Sequence, residues 1–121
     1  MRILVVDDST IIRKALGVFL GRGDTEIVGE AINGKEAIEQ FRSLKPDLVT
    51  VDITMPEMNG LQALKEIMAI DPGARVIIVS ALSAKENAVK ALGLGAKAYI
   101  MKPFKKDELE ETISAVMAEA T

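Results

Sequence analysis

Neither cysteine nor histidine occurs anywhere in the 121 residues. Without cysteine there is no disulfide and no thiolate metal site. Without histidine the chain lacks the commonest general base, the commonest metal ligand and every Ser-His or Cys-His nucleophile arrangement. Any metal held here must be a hard cation bound through oxygen. Aromatics make up only 3% of the residues, and the formal net charge is −3. A mildly acidic chain with few aromatics and no stripe of Lys or Arg is poorly suited to nucleic acid, so no such partner is expected. Long apolar runs are missing too. Four apolar residues, Ile3 to Val6, lead straight into Asp7 and Asp8. That is too short for a signal peptide, and no later run could span a bilayer. The expectation is a cytoplasmic protein with no membrane partner.

What is present is a regular alternation, and the length fits one domain, 1–121, with one core. Ile3–Val6, Leu48–Val51 and Val76–Val79 are unbroken β-branched and Leu runs, as strands buried on both faces require. Ile27–Val28 and Tyr99–Met101 are shorter and suit edge or flanking strands. Between them lie apolar residues at helical spacing. The first stripe is Ile12, Ala15, Leu16, Phe19 and Leu20, and the second is Ala37, Ile38, Phe41 and Leu44, ended before Pro46. The third is Leu61, Leu64, Ile67 and Met68, ended by Asp71-Pro72-Gly73. Ala88, Val89 and Leu92 make a fourth, ended by Gly93 or Gly95; Leu109, Ile113, Val116 and Met117 make the last. Strand and helix alternate five times. That pattern predicts a doubly wound α/β domain, with a parallel sheet covered on both faces and right-handed crossovers.

Two motifs mislead. Gly29 to Glu36 nearly spells a phosphate-binding loop, but Glu36 stands where a Ser or Thr must meet Mg²⁺. Asn33-Gly34 is better read as a turn opening the second helix. Gly93-Leu94-Gly95-Ala96-Lys97-Ala98 loosely matches a dinucleotide fingerprint, yet it follows a helix and precedes a strand, the reverse of what a pyrophosphate needs. A helix C-cap with glycines in left-handed conformations explains it.

In a parallel sheet, ligands bind outside the carboxyl ends of the strands. The first strand ends in Asp7-Asp8, the third in Asp52, the fourth in Ser80 and the fifth in Lys102. Each alone has an ordinary explanation. Asp7 or Asp8 could cap the first helix, Asp52 could be a turn residue, Ser80 could cap the fourth helix and Lys102 could be solvated. Together they put a charged or polar group from four of five strands on one edge. Crowded carboxylates repel and raise one another's pKa unless a cation sits among them. Mg²⁺ is the natural one, and a Lys opposite it would balance an incoming dianion. Such an arrangement suits phosphoryl transfer, where catalysis is mostly positioning and charge stabilisation. With no His or Cys, the acceptor must be a carboxylate, giving an acyl phosphate.

The chain resembles the bacterial response-regulator receiver domains of the CheY-like type. The likeness is carried by Val5-Val6-Asp7-Asp8-Ser9, by Asp52-Ile53-Thr54-Met55-Pro56-Glu57-Met58-Asn59-Gly60, by Ser80-Ala81 and by Tyr99-Ile100-Met101-Lys102-Pro103-Phe104. It covers essentially the whole chain in order and spacing. The resemblance implies a flavodoxin-like (βα)5 fold with strand order 2-1-3-4-5, and a cis bond between Lys102 and Pro103. It implies that Asp52 is the phosphoacceptor, and that Asp8, Asp52 and the Thr54 backbone carbonyl hold Mg²⁺ directly while Asp7 acts through water. Lys102 would contact the phosphoryl group, Ser80 would be the switch hydroxyl and Tyr99 the switch aromatic. The donor would be a sensor histidine kinase or a phosphotransfer protein. The domain would catalyse its own phosphorylation and hydrolysis and would not be an enzyme with an external substrate. Separately from the resemblance, Ile11 and Val18 lie off the main stripe of the first helix. Ordinary exposed apolar surface would explain them, and the hypothesis is that Ile11, close to the acid pair, belongs to the kinase-docking face. Two positions that vary in the family, two residues after Asp52 and after Ser80, hold Thr54 and Leu82, and neither carries a charged or amide group to orient a hydrolytic water.

The first reading is a stand-alone, monomeric chemotaxis receiver whose output is binding of a partner protein, for instance at a flagellar switch, through a surface including Lys85, Lys90, Tyr99 and Lys106. A phosphorelay intermediate, passing phosphate to a phosphotransfer protein, is the alternative. A haloacid-dehalogenase-type phosphatase needs a second acid two residues after its nucleophile, where Thr54 or Ser9 stands here. A binding module on a retired receiver would have lost an acid or the lysine, and all are present.

Overall fold

The structure, a computed structural model, describes residues 1–56, 58–82 and 85–119. Five strands and five helices alternate: β1 (Arg2–Val6), α1 (Thr10–Leu20), β2 (Glu26–Ala31), α2 (Gly34–Leu44), β3 (Leu48–Val51), α3 (Gly60–Ile70), β4 (Val76–Ser80), α4 (Lys85–Gly93), β5 (Ala98–Met101) and α5 (Lys106–Ala118). All strand pairs are parallel, in the order β2-β1-β3-β4-β5, the flavodoxin-like arrangement. Order reverses beside β1 and β3, which places the crevice between their carboxyl ends.

The expected single core is divided by the sheet. Side chains alternate along each strand, so each strand feeds both faces. Ile3, Val5, Leu48, Ile77, Val79 and Ile100 meet Leu16 and Leu20 of α1 and Leu109, Ile113 and Val116 of α5. Leu4, Val6, Val49, Val51, Val76 and Ile78 meet Phe41 of α2, Leu64 and Ile67 of α3 and Ala91 of α4. The central strands β3 and β4 are buried throughout, as their unbroken apolar runs require. Two polar side chains share that environment, Thr50 and Ser80. Thr50, in the middle of β3, is buried and its Oγ1 has no hydrogen-bond partner among the described residues.

Two expectations need correction. β2 extends well beyond Ile27–Val28, to Glu26–Ala31, because pairing with β1 holds its polar residues in the strand. The register slips between Ile3 and Leu4, which pair with Ile27 and Gly29 and leave Val28 unpaired. In α4 the apolar stripe is turned outward. Val89 is 61% and Leu92 51% exposed, while the small Ala91 is buried. Periodicity reports an apolar face but not whether the chain itself covers it.

The helix starts explain the misleading motifs. Asn33 caps α2, its side chain accepting the Glu36 N–H at 2.8 Å. At the end of α4 only Gly95 has a positive φ, 112°, and Gly93 does not share the left-handed conformation expected of it.

Candidate functional site

Asp7, Asp8, Asp52, Ser80 and Lys102 stand immediately at or beyond the carboxyl ends of β1, β3, β4 and β5. One carboxylate oxygen from each of Asp7, Asp8 and Asp52 lies within 4.8 Å of the others. Asp7 and Asp52 are buried and Asp8 is exposed. The Lys102 ammonium donates to Asp7 Oδ2 at 2.7 Å and to Asp52 Oδ2 at 3.4 Å. One ammonium against three carboxylates leaves the cluster short of positive charge. A hard dication suits that deficit.

Backbone pairing sets these positions. The Asp7 N–H donates to Ala31 O and the Asp52 N–H to Val6 O, both at 3.0 Å, extending the sheet ladder one step past each strand. The Lys102 N–H donates to Ser80 O at 2.8 Å, tying the ends of β4 and β5 together. The Lys102–Pro103 bond is cis, as the resemblance implied.

Neither acid of the pair caps α1. Ser9 does, accepting the Ile12 N–H at 3.3 Å, while the Ser9 N–H donates to Asp7 Oδ1 at 2.8 Å. After β3, the Thr54 N–H donates to Asp52 Oδ1 at 3.3 Å. The loop then closes where the Gly60 N–H reaches Ile53 O at 2.8 Å. A Cβ on Gly60 would overlap the Asp52 carbonyl oxygen and stand 2.7 Å from its carbon, so only glycine lets α3 start this close to Asp52.

The Asp52 carboxyl is pushed above the ordinary carboxylate range. Burial is the main cause and the neighbouring Asp7 charge adds to it, while Lys102 and the Thr54 N–H oppose it. A cation among the carboxylates would favour the charged form instead.

Among the described residues Ser80 makes no cap to α4. Its Oγ accepts the Leu82 N–H at 3.2 Å. The Leu82 carbonyl in turn accepts the Tyr99 hydroxyl. Both switch candidates therefore hold the backbone of Leu82, a residue the sequence marked only for its side chain. Residues 83 and 84, the rest of that loop, lie outside the described residues. Arg13 also escaped notice, beside Lys14 in an otherwise apolar helix stretch, yet its Nη1 donates to Asp7 O at 2.7 Å.

A sheet of this order, with acids, ammonium and hydroxyl on its carboxyl edge, is the arrangement that the resemblance to receiver domains implied. The response regulator receiver domain family model matches residues 3–114, and the chain belongs to that family. Among its relatives, the chemotaxis protein CheY of Thermotoga maritima is 46% identical over 115 residues, covering 95% of this chain and 96% of that protein. CheY of Bacillus subtilis is 45% identical over 116 residues, covering 96% and 97% respectively. Among solved structures, the CheX-CheY-BeF3-Mg²⁺ complex from Borrelia burgdorferi matches with a TM-score of 0.95 and 34% identity, covering 98% of this chain and 90% of that one. The chain is thus a receiver of the CheY type, a signalling protein and not a classical enzyme. Receivers of this family bind Mg²⁺, and the acidic cluster is consistent with it. No helix among the described residues is long and apolar enough to cross a membrane.

Proposed function

We propose that the chain is a single-domain, stand-alone and monomeric response regulator, acting in the cytoplasm in chemotaxis, and that Asp52 accepts a phosphoryl group from a histidine kinase or phosphotransfer protein. The observation that carries this reading is the joint one: three carboxylates within 4.8 Å, with the Lys102 ammonium on two of them. Two CheY relatives aligned over almost their whole length support the chemotaxis assignment.

In this reading an Asp52 carboxylate oxygen forms a bond to phosphorus while the P–N bond of the donor phosphohistidine breaks, its electron pair returning to the imidazole nitrogen. Attack of water on phosphorus later releases inorganic phosphate and restores the carboxylate. Asp8, Asp52 and the Thr54 carbonyl would hold Mg²⁺, with Asp7 acting through water. Bound there, Mg²⁺ supplies the charge neutralisation that lets an anion approach the acids. Asp7 and Lys102 hold each other, so the ammonium is aimed at Asp52 before the donor arrives. Lys102 can then release its longer contact, 3.4 Å to Asp52, and take a phosphoryl oxygen.

Ser80 transmits the event. A hydroxyl has one donor and two acceptor sites, so Ser80 can donate to a phosphoryl oxygen while still accepting the Leu82 N–H. Leu82 and Tyr99 then move with it as one unit. The face that responds is α4, β5 and α5, where Val89, Leu92 and Met101 are exposed beside Lys85, Lys90, Tyr99 and Lys106. An output protein binding there shifts a two-state equilibrium by its preference for one state. A flagellar switch protein fits this role; the Borrelia burgdorferi CheY of similar fold is itself in complex with a second protein, CheX. Ile11, on α1, is 79% exposed and would meet the kinase.

The test is incubation with acetyl phosphate, with and without Mg²⁺, followed by intact-mass measurement and peptide mapping. One phosphoryl group on Asp52, dependent on the cation and lost in Asp52→Asn, is the expected result. Full labelling of Asp52→Asn would contradict the assignment. Transfer from a chemotaxis kinase, slowed by Ile11→Lys while acetyl phosphate labelling is unchanged, tests the pathway.

A further inference from the structure

Asp8 is the exposed member of the acid cluster, and among the described residues its carboxylate has no ion pair. Its place must therefore be set through the backbone. The residue before it is held at every polar atom. The Asp7 N–H donates to β2 at Ala31 O, Oδ1 accepts the Ser9 N–H, Oδ2 accepts Lys102, and the carbonyl oxygen accepts Arg13 Nη1 at 2.7 Å. That carbonyl belongs to the Asp7–Asp8 peptide. Because the peptide is planar, fixing its C=O fixes the N–H and Cα of Asp8 as well.

Arg13 is itself oriented from two further sides. Its Nε donates to Glu30 Oε1 on β2 at 3.0 Å, and Nη2 reaches Thr10 Oγ1 at 3.3 Å. The planar guanidinium can serve three acceptors at once, which an ammonium on a shorter stem cannot do in the same geometry. Its side chain is only 14% exposed, against 53% for Glu30. The bond to Asp7 O is therefore the shielded one, and the ion pair with Glu30 is open to water and worth little by itself.

We propose that Arg13 is the positioning residue of the acid cluster: by holding the Asp7 carbonyl it fixes the Asp7–Asp8 peptide plane and so places the Asp8 carboxylate beside Asp7 and Asp52 for a divalent cation. This rests on the metal site proposed above. Groups that orient metal ligands typically change metal affinity by about 10–100-fold when removed. Arg13 acts on a ligand's main chain and should fall at the lower end of that range.

The experiment is Mg²⁺ titration by calorimetry on the wild-type chain and on Arg13→Met, Arg13→Lys and Glu30→Gln. It is paired with amide NMR of the metal-free proteins and thermal unfolding in chelator. Arg13→Met should weaken Mg²⁺ binding about tenfold and shift the Asp8 and Ser9 amide signals before any metal is added. Arg13→Lys keeps the charge and should recover only part of the affinity. Glu30→Gln should stay within about twofold, as loss of an exposed ion pair predicts. Wild-type affinity in Arg13→Met, or in Arg13→Lys should Arg13→Met not fold, would overturn the proposal. So would a loss in Glu30→Gln as large as in Arg13→Met, since the ion pair and not the held carbonyl would then be responsible. Failure of the wild-type chain to bind Mg²⁺ would instead strike the metal site, and the positioning role with it.

Discussion

β3 and β4 are neighbouring strands that each deliver one site residue and run on into a helix, yet the two helices are held very differently. After Asp52 the chain turns into α3 through a capping box, in which the Asn59 side chain accepts the Gln62 N–H and the Gln62 side chain accepts the Asn59 N–H. α3 then buries Gly60, Ala63, Leu64 and Ile67. After Ser80 the chain reaches α4, which buries only Ala91 and leaves its two larger apolar residues, Val89 and Leu92, in solvent. On the proposed function the contrast separates two tasks. Asp52, as acceptor, would have to keep its place, and the helix behind it is anchored. The helix beyond Ser80 would have to shift and offer a surface, and it is anchored weakly. Regions of low local stability are where switching elements are found.

Core truncation should expose that difference most strongly. Leu64→Ala in α3 should cost about 2–5 kcal/mol, whereas Leu92→Ala in α4 should change stability by no more than about 0.5 kcal/mol. Urea unfolding measures both. Equal costs would mean that α4 is packed as firmly as α3. Gly60→Ala follows, at about 1–3 kcal/mol, because the new methyl group has no room against the Asp52 carbonyl. It should also slow labelling by acetyl phosphate, since relief must shift the start of α3 or the Asp52–Ile53 main chain it meets.

Asp52→Asn should act in the other direction. Burial raises the folded-state pKa of Asp52 above its unfolded value, so the folded chain holds that proton more tightly. Ionised Asp52 therefore costs stability above the raised pKa. That cost is relieved as pH falls through it and is gone below the unfolded value. In chelator at neutral pH the Asn variant should melt higher than wild type, and its advantage should shrink on acidification. A variant that melts lower under those conditions would mean that Lys102 more than compensates the buried charge. Thr50→Val, which removes an unpaired buried hydroxyl from β3 with little change of shape, should stabilise by about 1 kcal/mol.

Much of this was legible in the sequence, for identifiable reasons. Runs such as Leu48–Val51 and Val76–Val79 admit little besides buried parallel strands, and those strands occupy those positions. Asp7, Asp8, Asp52, Ser80 and Lys102 could be singled out because each sits at a strand end. The parts that stayed hidden act through the main chain. Arg13 and Tyr99 bond carbonyls of Asp7 and Leu82, residues 6 and 17 positions away, and no spacing rule marks such pairs. The need for glycine at 60 comes from the approach of α3 to Asp52, which only the folded path reveals. That the α4 stripe faces outward stayed hidden because an exposed apolar face has the same period as a covered one.

The contrast between α3 and α4 is tested most directly by amide hydrogen exchange, with and without beryllofluoride and Mg²⁺ added to the chain. Exchange in the segment from Ser80 through α4 and in β5 around Tyr99 should change on binding, while α3 from Gly60 to Ile70 keeps its protection. An unchanged α4 and β5, or a change of equal size in α3, would contradict the claim that the anchored helix holds the acceptor and the loosely held one carries the signal.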